Sequence, residues 1–160
     1  MLSDFLQPVN NHLLEEFYSS NKYIKEYIDT YSYAYTGKIK ITVSGKSDFI
    51  SRISVLDLTI VLDNLISNSH KAKAKNIDIE IKEITKGLDV FIHDDGDGVP
   101  NDFLYTPNAI FELGVKSNVE GSGIGLYTVK KKMIENLHGD ISFVGNGIKL
   151  KGATFKLSFE

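Results

Sequence analysis

The apolar positions change period several times along the chain. From Asp4 to about Tyr35 the spacing is helical and free of glycine, and Tyr23, Tyr27 and Tyr31 recur four apart beside Ile24 and Ile28. That spacing predicts one or two helices with a stripe that must pack on something. Gly37 ends the stretch, and Ile39, Ile41 and Val43 then alternate with Lys40 and Thr42, as in a half-buried strand. Between Val55 and Lys75, Leu58, Val61, Leu62, Leu65 and Ala72 return to helical spacing. Ile77, Ile79 and Ile81, a turn through Lys86-Gly87, and Leu88, Val90 and Ile92 predict a hairpin.

Asn101 to Ser122 has no sustained period and reads as a long loop with at most a short helical turn around Ala109-Ile110-Phe111. Leu126, Val129, Met133 and Leu137 give a second amphipathic helix, stopped by His138-Gly139 as a cationic last turn and a glycine cap. Strands at Ile141 to Val144 and Ala153 to Phe159 close the chain. This order predicts an α+β fold, a two-layer sandwich of helices on a mixed, mostly antiparallel sheet. It divides into an N-terminal helical segment, 1–36, and a main domain, 37–160.

Composition narrows the function classes. With 160 residues, 42% hydrophobic and 24% charged, the chain is about one globular domain. A net charge of −3 offers no broad positive field for nucleic acid or a membrane surface. The absence of cysteine excludes disulfides, zinc-thiolate sites and cysteine nucleophiles. No apolar run is long enough to span a bilayer and no signal peptide is evident, so a cytoplasmic location is expected, including as the cytosolic portion of a longer, membrane-anchored protein.

Three features carry candidate chemistry. On the helix after Val55, Asn64, Asn68 and Lys71 fall within an arc of roughly 60°, so two amides and an ammonium look the same way. Asp94 shares the strand parity of Leu88, Val90 and Ile92, which aims its carboxylate at the core face, where it needs a partner. The glycine-rich runs 94–100 and 121–126 fit neither a Walker loop nor a dinucleotide fingerprint. Reading the first as a calcium loop puts His93 and Leu104 where acids are required. The second run places bare amides at a helix start, where the dipole attracts phosphate.

In chain order this set resembles the ATP-binding (Bergerat) fold of the GHKL superfamily: DNA gyrase, the ninety-kilodalton heat-shock chaperones, sensor histidine kinases and MutL proteins. Residues 62–69 look like the N box and Asp94 to Gly98 like the first glycine box. Ile110-Phe111-Glu112 look like the F box and Gly121 to Leu126 like the second glycine box. Gly152-Ala153-Thr154-Phe155 resembles the closing Gly-Thr-Phe strand. The likeness covers about Lys38 to Phe159.

The resemblance implies ATP and Mg²⁺ as ligands. Asn68 would give its amide oxygen to the metal, Lys71 would neutralise phosphate and Asp94 would accept from the adenine amino group. Gly96 and Gly98 would admit the base. Phe111, Gly121, Ser122, Gly123, Ile124, Gly125, Leu126 and Thr154 would complete the nucleotide site, under a lid formed by residues 101–120.

One position chooses within the superfamily. Where ATP-hydrolysing members carry a glutamate, four residues before the metal asparagine, this chain has Asn64, and an amide cannot act as a general base. Sensor histidine kinases commonly have Asn there, which assigns Asn64 and Lys71 to phosphoryl transfer. None of His12, His70, His93 and His138 sits in the setting of a phosphoacceptor. The expected function is therefore a histidine kinase catalytic domain in two-component signal transduction. Its acceptor histidine would lie on a dimerisation and phosphoacceptor domain outside this chain, with a response regulator downstream. The rivals are a serine kinase of the anti-sigma type and a nucleotide-gated interaction module. Lys130-Lys131-Lys132 reads as a solvated face rather than a docking patch.

Overall fold

The computed structural model describes residues 16–31, 38–116 and 123–160. Its centre is a five-stranded sheet ordered β2-β4-β5-β7-β6. The strands are β2 (Lys40–Gly45), β4 (Asn76–Ile84), β5 (Gly87–Asp94), β6 (Gly139–Asn146) and β7 (Ala153–Phe159). β2 runs parallel to β4, and the other neighbours are antiparallel. The strand alternation read from the sequence sets the inner face: Ile77, Ile79, Ile81, Leu88, Val90, Ile92, Ile141, Phe155, Leu157 and Phe159 are all buried.

Among the described residues three α-helices accompany this sheet: α1 (Ser20–Tyr31), α2 (Val55–Lys71) and α3 (Gly125–Glu135). The expected α+β sandwich is thus present, with helices against one face of a mixed sheet. α2 contributes Leu58, Val61, Leu62, Leu65 and Ile66 to the core, and α3 contributes Leu126, Val129 and Met133. The Tyr/Ile stripe packs on this chain's own α2. Tyr23, Ile24, Tyr27 and Ile28 are buried, and the Tyr27 hydroxyl donates to Asp63.

Several boundaries differ from the sequence reading. Glu16–Ser19 form a strand, β1, rather than helix, because their backbone pairs antiparallel with β3 (Ile50–Ile53) in a separate two-stranded sheet. The rest of the expected N-terminal helix before Glu16 and after Tyr31, with His12, lies outside the described residues. α2 stops at Lys71 instead of near Lys75. There Lys73 adopts φ 65°, the Ala74 N–H bonds the Ser69 carbonyl, and the Lys73 N–H bonds the His70 carbonyl. That is a Schellman end with lysine where glycine usually stands, so the sequence carried no stop signal.

α3 likewise ends before Leu137. The left-handed residue after it is His138, at φ 53°, while Gly139 already begins β6. Within 101–116 there are two 3₁₀ turns, Asn101–Phe103 and Pro107–Phe111, one more than the periodicity suggested.

α2 and α3 are tied at their ends as well as through the core. Ser54 caps α2 by accepting from the Asp57 N–H, and the Lys132 ammonium reaches Asp57 Oδ1 at 2.7 Å. Burial pushes the Asp57 carboxyl up, but hydrogen bonds from Lys132, Ser54 and Asn136, with the lysine charge, hold it below its ordinary 3.8. A carboxyl lowered on folding adds stability above its unfolded value, and that contribution is lost as pH falls through the folded one. Asp57→Asn is therefore expected to be less stable at neutral pH and to lose less stability on acidification below pH 3.8. Urea unfolding across a pH series measures this, and identical acid limbs in both proteins would contradict it.

Candidate functional site

The site lies where the C-terminal half of α2 faces the end of β5. Asp94, the last residue of β5, is buried at 4% exposure, with its carboxylate on the helix side as its parity required. Three donors hold it. Ser69 Oγ, from α2, donates to Oδ2 at 2.8 Å. The N–H groups of Gly96 and Ala153 donate to Oδ1 at 2.9 and 3.2 Å. Burial raises the carboxyl above its ordinary value against these bonds, and the neighbouring Asp95 charge adds to the rise.

Around Asp94 is a small, open pocket. Asn68, Ser69 and Ala72 form one wall, Asp94, Gly98 and Val99 another, and Ala153 and Phe155 the sheet side. Phe111 supports that side, packing edge-on to Phe155 with ring centroids 6.3 Å apart.

The glycine loop after β5 presses against α2. The Asp97 N–H bonds the Ala72 carbonyl at 2.8 Å, and a Cβ on Gly96 would stand 2.6 Å from that same oxygen. Gly98 sits at φ +80° against Asn146, whose amide clasps Val99 by both its N–H (3.0 Å) and its carbonyl (2.8 Å). Asp95 fixes the other side, accepting from the backbone N–H groups of Lys75 and Asn76.

The start of α3 lies beside Asn68, which lines the pocket. Among the described residues no side chain caps this helix, and its N-terminus carries the positive end of the helix dipole. A Cβ on Gly125 would lie 3.0 Å from Asn64 Oδ1 and 3.8 Å from Asn68 Oδ1, so both amides of α2 face this helix start. Asn64 is steadied by donating its amide to the Ile60 carbonyl at 2.8 Å. Lys71 lies on the same side of α2 and has no ion-pair partner among the described residues. Gly123, at φ +75°, packs against Gly114 and accepts its N–H at 2.9 Å, which brings the two ends of the intervening loop together.

The expected site residues divide accordingly. Asn68, Asp94 and Gly98 line the pocket, Gly96 bonds Asp94, and Asn64 and Gly125 meet beside Asn68, with Phe111 behind Phe155; Gly123 is held against Gly114. Ile124 is exposed at the mouth, whereas the Leu126 side chain is buried in the core, so only its backbone is available. Thr154 is not brought to the pocket. Strand alternation puts Ala153 there instead, and the Thr154 hydroxyl pairs with His93 Nδ1 at 2.8 Å on the opposite face of the sheet. Gly121 and Ser122 lie outside the described residues.

In the lysine run, Lys130 is held by Asp140 and stands over the Phe111 ring, and Lys132 is held by Asp57, so two of the three are internal anchors rather than a free face. The sequence reading gave no site role to Ser69, Asn146 or Gly152, although Ser69 and Gly152 lie in motifs it named. Ser69 did leave a signal, since it continues the buried stripe of Leu58, Leu62 and Leu65, where a hydroxyl demands a partner.

Residues 53–160, more than half of the chain, match the family described as histidine kinase-, DNA gyrase B-, and HSP90-like ATPase. The chain belongs to this ATPase family. No curated protein matches it by sequence. Among solved structures, the ATP-binding domain of PrrB from Mycobacterium tuberculosis aligns with TM-score 0.72 and 20% identity, over 91% of this chain and 96% of that one. The nucleotide-free catalytic domain of histidine kinase ThkA gives TM-score 0.72 and 19% identity, over 91% and 94%. Full-length ShkA in complex with AMPPNP gives TM-score 0.69 and 19% identity, over 91% of this chain and 30% of that one. These likenesses establish the ATPase-family fold. No helix among the described residues is long and apolar enough to cross a membrane.

Gly152 packs closely against the Asp94 carboxylate. Its N–H bonds the Asp94 carbonyl at 2.9 Å, and a Cβ would stand 2.1 Å from Asp94 Oδ1. Gly152→Ala must therefore displace the carboxylate or the strand, at a cost of roughly 1–3 kcal/mol typical of overpacking. Urea unfolding is expected to show that loss, and wild-type stability in the variant would contradict the observed approach.

Proposed function

We propose that this domain binds Mg-ATP and passes its γ-phosphoryl group to a histidine on a phosphoacceptor domain outside the described chain, with a response regulator as the later recipient. The observation that carries the reading is the buried Asp94 carboxylate and the Asn68 amide on one pocket, with Asn64 and the start of α3 beside that amide. Asp94 offers a charged acceptor to the adenine amino group, while guanine presents a carbonyl there, leaving acceptor against acceptor. The glycines of the first box let the base approach the backbone, and the start of α3 takes the phosphates.

The donor set also fits magnesium. Asn64 and Asn68 present amide oxygens beside the helix start, and Mg²⁺ prefers oxygen ligands and is commonly held by few protein groups together with nucleotide phosphates. In this reading Asn68 holds the ion, which would offset phosphate charge, and Lys71 adds a positive charge on the same side. Asn64, an amide bound back to its own helix, does not deprotonate water, so hydrolysis is slow. The reaction then needs an external imidazole: as its nitrogen bonds to the γ-phosphorus, the bond to the β-phosphate oxygen breaks and ADP leaves. The chain's share is positioning and charge stabilisation. The nucleotide-bound ShkA structure shares the fold, which supports this reading.

Calorimetric titration of the chain with ATP, with and without Mg²⁺, tests it. Tight binding is expected to require the metal, and Asn68→Ala is expected to reduce Mg-ATP affinity at least tenfold, about 1.4 kcal/mol. Equal affinity with and without the metal, or in the variant, would remove Asn68 from the ion.

A further inference from the structure

The acceptor capacity of Asp94 is almost filled before any ligand arrives. A carboxylate has about four lone-pair positions, two on each oxygen. Oδ1 accepts from the Gly96 and Ala153 N–H groups, and Oδ2 accepts from the Ser69 hydroxyl. One position on Oδ2 remains for the pocket.

This matters because a buried carboxylate alone does not reject guanine. Guanine carries adjacent N–H donors on N1 and the exocyclic N2, and Oδ2 with both of its lone-pair positions open could accept both at once. A small rotation of the base would replace the acceptor clash with that two-point grip. Adenine offers one suitable amino donor and needs only one lone pair.

We infer that Ser69 is a specificity-determining residue, whose hydroxyl takes one of the two lone-pair positions on Asp94 Oδ2, the oxygen left open by the backbone, so that the carboxylate reads one donor, favouring adenine and denying guanine a two-donor contact. Ser69 is 4% exposed, lines the same pocket and donates from a rigid helix, so the hydroxyl cannot drift away without leaving both groups unpaired. The device works against the wrong ligand more than for the right one. It rests on the adenine-nucleotide reading of the site.

Mg-ATP and Mg-GTP titrations of the unsubstituted chain, Ser69→Ala and Ser69→Cys separate the outcomes. Ser69→Ala is expected to narrow the ATP-over-GTP affinity ratio about tenfold, mainly through tighter GTP binding. Ser69→Cys, nearly the same size but a weak donor, is expected to narrow it in the same direction and stands in if the alanine variant does not fold. Parallel weakening of both nucleotides, with the ratio unchanged, is what a packing role gives and would overturn the inference alone. If the unsubstituted chain binds neither nucleotide, the adenine reading fails and this inference falls with it.

Discussion

A single buried carboxylate organises this molecule. Asp94 receives hydrogen bonds from helix α2 through Ser69, from the glycine loop through Gly96 and from strand β7 through Ala153. Each donor belongs to a different stretch of chain, so the carboxylate has these partners only when all three are in place. Burying an unpaired carboxylate is costly enough that sheet, helix and loop must assemble together around it. The close approaches of Gly96 to Ala72 and of Gly152 to Asp94 follow from the same requirement.

Helix α2 serves both the core and the site because its two faces are chemically distinct. Its apolar stripe anchors it to the sheet, and its amide face is presented to the start of α3. The ion pair between Asp57 and Lys132, the core contacts of Leu126 and Val129, and Lys130 over Phe111 keep α3 in register with it. The end of α2 that carries Asn64 and Asn68 is thus set against a packed partner helix, and a backbone hydrogen bond joins Gly114 to Gly123. Asn68 both lines the pocket around Asp94 and lies beside Gly125, so one helix wall joins the two places.

Much of this was legible in the sequence where periodicity is long and strong. The hairpin of β4 and β5, the helix carrying Asn64 and Asn68, and the inward aim of Asp94 all follow from alternation and helical spacing. The strand β1 was not legible, because four residues beside a helix carry little period of their own and owe their form to pairing with β3. The ends of α2 and α3 were misplaced because left-handed caps fall on Lys73 and His138, residues that do not announce them. Thr154 was drawn toward the site by its motif, while strand parity sends it to His93. Asn146 could not be found from the sequence at all, since its clasp on Val99 spans residues far apart along the chain.

The central claim is that base recognition and phosphate recognition meet on one surface of this fold. Backbone amide chemical shifts recorded while the isotope-labelled chain is titrated with Mg-ATP measure this directly. The account predicts concerted changes at Asn68, Gly96 and Gly125, saturating at one common concentration. Changes confined to the outer sheet face around His93, or separate saturation at the two ends, would contradict it.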